Sequence, residues 1–215
     1  MAKGWENIGK HTLTTAGANL TVANIPHRDH LRVLITIVGT SGNTPALRYR
    51  FNDDSSGTAG SSGTYAHRNS NTGGSDDTGL YKTEINPLNQ DPSSSGTDLF
   101  VDIDIINIAD QEKICTNHIV LQQATGNGNT ERTENSAKWV RTSGSGTGNA
   151  SAQITKIVVY TDNSTNLGVG SSMVVFGENT IPAIVYPSLT NGTIFEESDT
   201  GKIYMFDGTD TWNEM

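Results

Sequence analysis

Residues 31–52 read LRVLITIVGTSGNTPALRYRFN, two strand-like runs on either side of a turn-rich break at Gly39-Thr40-Ser41-Gly42-Asn43. In the first run Leu31, Val33, Ile35 and Ile37 fall on one face, while Leu34 and Val38 make the other face apolar too. A short β-branched strand that is apolar on both faces belongs in the middle of a packed sheet rather than at its edge. In the second run Leu47, Tyr49 and Phe51 alternate with Arg48, Arg50 and Asn52, a period of two. Together the runs predict a core β-pair with one arginine-bearing polar face.

The same period recurs outward from this pair. A strand is expected at 18–22. In 98–108, Leu99, Val101, Ile103 and Ile105 point one way, and Phe100, Asp102, Asp104 and Ile106 the other. Residues 113–121 read as the returning strand of a hairpin, and 153–160 and 173–177 as two further strands. About seven or eight strands with turn signals between them, and no convincing amphipathic helix, predict an all-β chain. The expected architecture is an antiparallel β-sandwich, jelly-roll-like, with long Gly/Ser/Asn loops. Residues 53–95 and 122–152 are read as those loops. Tyr65 and Tyr81 are isolated anchors in the first, and Lys138-Trp139-Val140 is a short strand in the second.

The chain changes character near its end. A main domain over 1–179 gives way to 180–215, where Pro182 and Pro187 mark a linker. Turns at Ser198-Asp199-Thr200-Gly201 and Asp207-Gly208 then separate three strand-like runs closed by Trp212. A β-meander of that size is marginal alone, so it is expected to dock on something, with Phe206 and Trp212 as its contact residues.

Composition narrows the chemistry. Hydrophobic residues make up 33% of the 215, and the formal net charge is −9. That charge argues against a surface that tracks nucleic-acid phosphates. The one cysteine, Cys115, lies in an apolar run and is expected to be a buried small hydrophobe, with no disulfide framework or cysteine metal site. MAKGWENIGK lacks the apolar segment of a signal peptide, and no run reaches the length of a membrane-spanning helix. The expectation is synthesis in a cytoplasm without membrane insertion.

Candidate chemical clusters are sparse, and no cofactor or metal is expected. His27-Arg28-Asp29-His30 follows Pro26 and reads as a polar turn capping the sheet, since one turn cannot aim all four side chains at one ion. Residues 52–57, NDDSSG, have the look of an acidic calcium loop, but the twelfth position counted from Asp53 is Thr64 rather than glutamate. Only a looser oxygen-lined calcium site remains open there. Asp102 and Asp104 share a strand face, as an acid–base pair could. The plainer expectation is a solvated face, or partners for Arg48 and Arg50 across the sheet. His118 reads as a polar strand residue.

Several of these segments resemble minor structural proteins of tailed-phage particles: LRVLITIVGTSGNTPALRYRFN, Asp102 to Ala109, Glu112-Lys113-Ile114, Glu131-Arg132-Thr133-Glu134, Lys138-Trp139 and Val174-Val175-Phe176-Gly177. TIFEESDTGKIYMFDGTDTW is similar to a short module at the ends of phage virion proteins. The resemblance implies a non-enzymatic virion component, a capsid decoration, spike or tail part assembled in the host cytoplasm. It implies contacts with copies of itself (a trimer is the guess) and with capsid or tail proteins, and brings no catalytic residues. Glu131, Arg132, Lys138 and Trp139 would form an interlocked structural cluster. A carbohydrate-binding module for a host-surface glycan is the alternative, and a glycan depolymerase a third class. A binding module would expose Trp139, Tyr65 or Tyr81 in a shallow groove. A structural protein would bury Trp5, Trp139 and Trp212 in the core or at subunit contacts.

Overall fold

The computed structural model describes residues 4–39, 47–56, 64–71, 77–86, 98–121, 131–140, 142–143, 146–147, 152–161, 166–179, 191–197, 200–208 and 211–215. They form two compact units, Met1–Thr180 and Ile181–Met215. Among the described residues the first unit has β1 (Glu6–Thr12), β2 (Asn19–Ala23), β3 (His30–Ile37), β4 (Leu47–Phe51), β5 (Tyr65–Asn71), β6 (Asp77–Lys82), β7 (Leu99–Ile106), β8 (Lys113–Leu121) and β9 (Glu131–Trp139). A minimal ribbon of β10 (Thr142–Ser143) and β11 (Gly146–Thr147) precedes β12 (Lys156–Thr161) and β13 (Ser172–Glu178).

The unit is an antiparallel β-sandwich. One sheet runs β1-β13-β3-β7-β8-β9-β5-β6 and the facing one β2-β12-β4. Period-two patterning decides the inner faces. Leu31, Val33, Ile35 and Ile37 of β3 lie in one core with Val101, Ile103 and Ile105 of β7, and with Leu47, Tyr49 and Phe51 of β4 and Ile157 and Val159 of β12. β3 is central, between β13 and β7, and its outer face carries Arg32 and Thr36 beside Leu34.

The expected β3–β4 pair is not formed. β4 pairs with β12 in the small sheet, so the two runs lie in different layers rather than side by side. Two apolar alternations look alike whether their strands are neighbours or face each other across a core. The polar segment 53–95 also contains strands, β5 and β6, which extend the large sheet beyond β9. The short strand around Trp139 is the nine-residue β9, and the edge strand β1 lacks the alternation that would reveal it. The expected hairpin β7–β8 forms, with a register from Leu99↔Leu121 to Ile106↔Ile114.

Two interior features carry polar groups. Lys113 is buried at the start of β8, and its ammonium donates to Ile108 O at 2.7 Å and Gln111 O at 2.6 Å, closing the β7–β8 turn. Burial pulls its pKa below the ordinary lysine value, against the opposing charge of Asp110. Asn117, Asn135 and Asn69 lie in register across β8, β9 and β5, all facing inward.

The second unit is a three-stranded meander, β14 (Ile194–Glu197), β15 (Lys202–Phe206) and β16 (Trp212–Glu214). Gly201, at φ +69°, takes the left-handed turn between β14 and β15 that a side chain would resist. Pairings Phe195↔Tyr204 and Phe206↔Trp212 put four aromatic rings on one face. Trp212 lies 5.2 Å from Phe206 and 6.0 Å from Phe195, centroid to centroid.

Candidate functional site

The outer face of the large sheet presents the most unusual surface among the described residues. β7 and β8 place four cross-strand pairs on it: Phe100–Val120, Asp102–His118, Asp104–Thr116 and Ile106–Ile114. Phe100, Val120, Ile106 and Ile114 are 40–52% exposed, so an apolar pair lies at each end of the hairpin with polar pairs between. The neighbouring outward residues Leu34, Val174 and Phe176 are half-buried. At one end a shallow depression of about 350 Å³ is lined by Trp5, His30, Asp104, Ile106, Ile114 and Thr116. Trp5 itself is 45% exposed. A second hollow, of about 220 Å³, lies among Arg68, His118, Glu134 and Ser136.

The acidic pair of β7 is held by arginine on this face. Arg32 makes a bidentate pair with Asp102, with Nε 3.1 Å from Oδ1, and lies 3.8 Å from Asp104. Arg48 and Arg50 are not its partners, because they lie on the outer face of the opposite sheet. There Arg50 donates to Glu84 at 2.6 Å and its guanidinium stacks on Tyr160, 4.9 Å from the ring centre. Tyr160 donates to the same carboxylate at 2.9 Å, and Arg48 lies 3.9 Å from it.

The cluster at 27–30 behaves as a turn. Arg28 pairs with Glu6 at 2.9 Å, and the carbonyls of Arg28 and Asp29 accept from the Asn107 side chain and amide. Residues 52–54 also spend their oxygens on protein donors. Asn52 Oδ1 accepts from the amides of Thr155 and Lys156, and Asp53 pairs with Lys156 at 2.6 Å. Asp54 turns inward, so the three do not converge on one ion, against the looser calcium expectation. Among the described residues, no three His, Cys, Asp or Glu side chains are grouped to hold a metal.

Trp139 is wholly buried. It stacks on Tyr65 at 6.2 Å, touches Phe51 at 5.9 Å, and donates its indole N–H to Asp54 Oδ2 at 2.6 Å. Tyr65 is buried beside it, its hydroxyl donating toward Phe51 O and Asp54 O. Neither residue can offer a ring to a ligand, and the Tyr81 side chain lies outside the described residues. Lys138 points outward to Glu112 at 3.1 Å, while the side chains of Glu131 and Arg132 also lie outside the described residues. Cys115 is buried, and burial pushes its thiol pKa up. The exposed Trp5 at the depression comes from the N-terminal segment, where a lone tryptophan gives no periodic signal.

Asp54 and Glu84 are two carboxylates with displaced pKa values. Burial alone would raise both. Hydrogen bonds outweigh it, from Ser56 and Trp139 to Asp54, and from Arg50 and Tyr160 to Glu84, and hold both carboxyls below their ordinary values. A lowered folded-state pKa adds stability that is complete above the unfolded value and is lost as pH falls through the folded one. The thermal midpoint is therefore expected to fall as pH drops below about 4.5. Glu84→Gln should flatten part of that slope in a pH series of melting curves, and an unchanged slope would contradict the assignment.

Comparison with protein-family models, curated proteins and solved structures gives no match.

Proposed function

We propose that the chain is a non-catalytic structural protein of a phage-like particle, a capsid decoration, spike or tail component that assembles with copies of itself and with other virion proteins. The exposed apolar pairs on the outer face of the large sheet carry this reading. Four such side chains on one rigid face suit an assembling subunit, whose partner covers them. The resemblance of the strand segments and of the terminal module to virion proteins supplies the particle. The buried Trp139 and Tyr65 speak against a binding module built on those rings, while Trp5 and Trp212 are exposed and on this reading are left for subunit contacts.

The meander would supply a second contact through Phe206 and Trp212. Particles purified from cells that express the gene are expected to carry the chain in many copies, detected by mass spectrometry and immunogold labelling. Full-length chain with Phe206→Ala and Trp212→Ala should be depleted on particles at least severalfold. Particles free of the wild-type chain would refute the reading.

A second reading rests on Trp5. Its exposed ring at the end of a shallow groove beside Asp104 and Thr116 offers a stacking surface with hydroxyl partners, which suits a sugar of a host-surface glycan. Binding on a glycan array that Trp5→Ala abolishes would support it.

A further inference from the structure

We infer that the outer face of the large sheet is a self-complementary interface, closed by a second copy of this chain about a two-fold axis that runs along the strands between β7 and β8. The inference rests on the assembly role proposed above and names its partner and geometry. A rotation about that axis keeps each row of side chains opposite the same row and exchanges β7 with β8, β3 with β9, and β13 with β5. Phe100 of one copy then faces Val120 of the other, and Ile106 faces Ile114, so both exposed apolar pairs are covered. Asp102 faces His118, and Asp104 faces Thr116, a carboxylate opposite a donor each time.

Charge follows the same division. Among the described outward side chains, β13, β3 and β7 carry Asp102, Asp104 and Glu178 against Arg32, a net of −2. On β8, β9 and β5 they are Lys138 and Arg68 against Glu134, and Glu112 beside Lys138 brings that half to a net of 0. The axis lays the acidic half of one copy on the half of the other that carries Lys138 and Arg68, which favours the pairing and sets its orientation. An axis across the strands would instead oppose Asp102 to Asp104 and bring like charges together.

The size also fits. Six strands about 4.8 Å apart and roughly eight residues long at about 3.3 Å each present on the order of 750 Å². A standard interface covers about 800 Å² per partner. Sheets stacked this way lie about 10 Å apart, with their strands nearly aligned.

The full chain tests this directly. Light scattering should give twice the chain mass. Ile114→Lys and Val120→Lys change exposed side chains, so their circular dichroism and melting should match wild type while self-association weakens at least tenfold. Phe100→Cys and Ile106→Cys then read the axis, because the one native cysteine is buried. A short bismaleimide should link Phe100→Cys to itself and Ile106→Cys to itself. It should not link one to the other in a mixture, since the two rows lie about 20 Å apart along the strand. A monomer, a trimer or pentamer, lysine variants that associate like wild type, or links between positions 100 and 106 would each overturn the inference. A monomer that binds glycans would move the face to the sugar-binding reading. A monomer still found on particles would remove the pairing and leave the virion reading in place.

Discussion

Trp139→Ala is expected to destabilise the sandwich by about 3–5 kcal/mol, the range for deleting a large buried aromatic ring. The indole touches Phe51 of the facing sheet and Tyr65 of the neighbouring strand, so its loss opens a cavity between layers that strands held on both sides cannot collapse to fill. It also deprives Asp54 of the N–H that its inward carboxylate accepts, a further penalty on the order of 1–3 kcal/mol. Trp139→Phe separates the two effects, since it keeps most of the volume and loses only the donor. Urea unfolding followed by circular dichroism should rank wild type above Phe and Phe above Ala. Equal stability of Phe and wild type would mean that the Asp54 contact contributes nothing.

The second large effect is expected at the middle of the asparagine row. Asn117 donates to Asn135 Oδ1 at 2.6 Å, Asn135 donates to Asn69 Oδ1, and Asn69 donates to Asn86 O at 3.1 Å. The Tyr49 hydroxyl joins from the small sheet, donating to Asn117 Oδ1 at 3.1 Å. Each amide is buried, so a broken link leaves a polar group with neither water nor partner. Asn135→Leu should orphan a neighbour on each side and cost about 2–5 kcal/mol, on the order of 1–3 kcal/mol for each orphaned group. Tyr49→Phe orphans only part of Asn117 and should cost about 1 kcal/mol. A double-mutant cycle of these two measures their coupling through Asn117. If Asn135→Leu were no worse than Tyr49→Phe, the three amides would be acting independently.

What could be read from the sequence followed the physics of each segment. Alternation located β3, β4, β7, β8, β12 and β13, because each buries one face and the period of two records it. It could not assign them to layers, which is why β4 was expected beside β3 and is found beside β12. β5 was hidden because its inward positions include His67 and Asn69, two buried polar residues, so its pattern reads as loop. β9 was half-hidden for the same reason, with Thr133 and Asn135 facing in ahead of Ala137 and Trp139. The assembly face was partly legible. Phe100 and Ile106 stood on the face assigned to Asp102 and Asp104, but only the register of β7 on β8 brings Val120 and Ile114 beside them.

The large sheet carries one further consequence, for the order in which the chain can fold. Its first strand, β1, has β13 as its sheet neighbour, so Glu6 finds Gly177 about 170 residues later. β2 likewise waits for β12. On a ribosome, the N-terminal strands must stay unpaired until nearly the whole sandwich has emerged, while hairpin β7–β8 closes early from its short turn. Such distant pairings make folding slow. During that interval β3, whose inner face is Leu31, Val33, Ile35 and Ile37, lacks the β13 neighbour that will cover one of its edges, and this exposes it to pairing with another nascent chain.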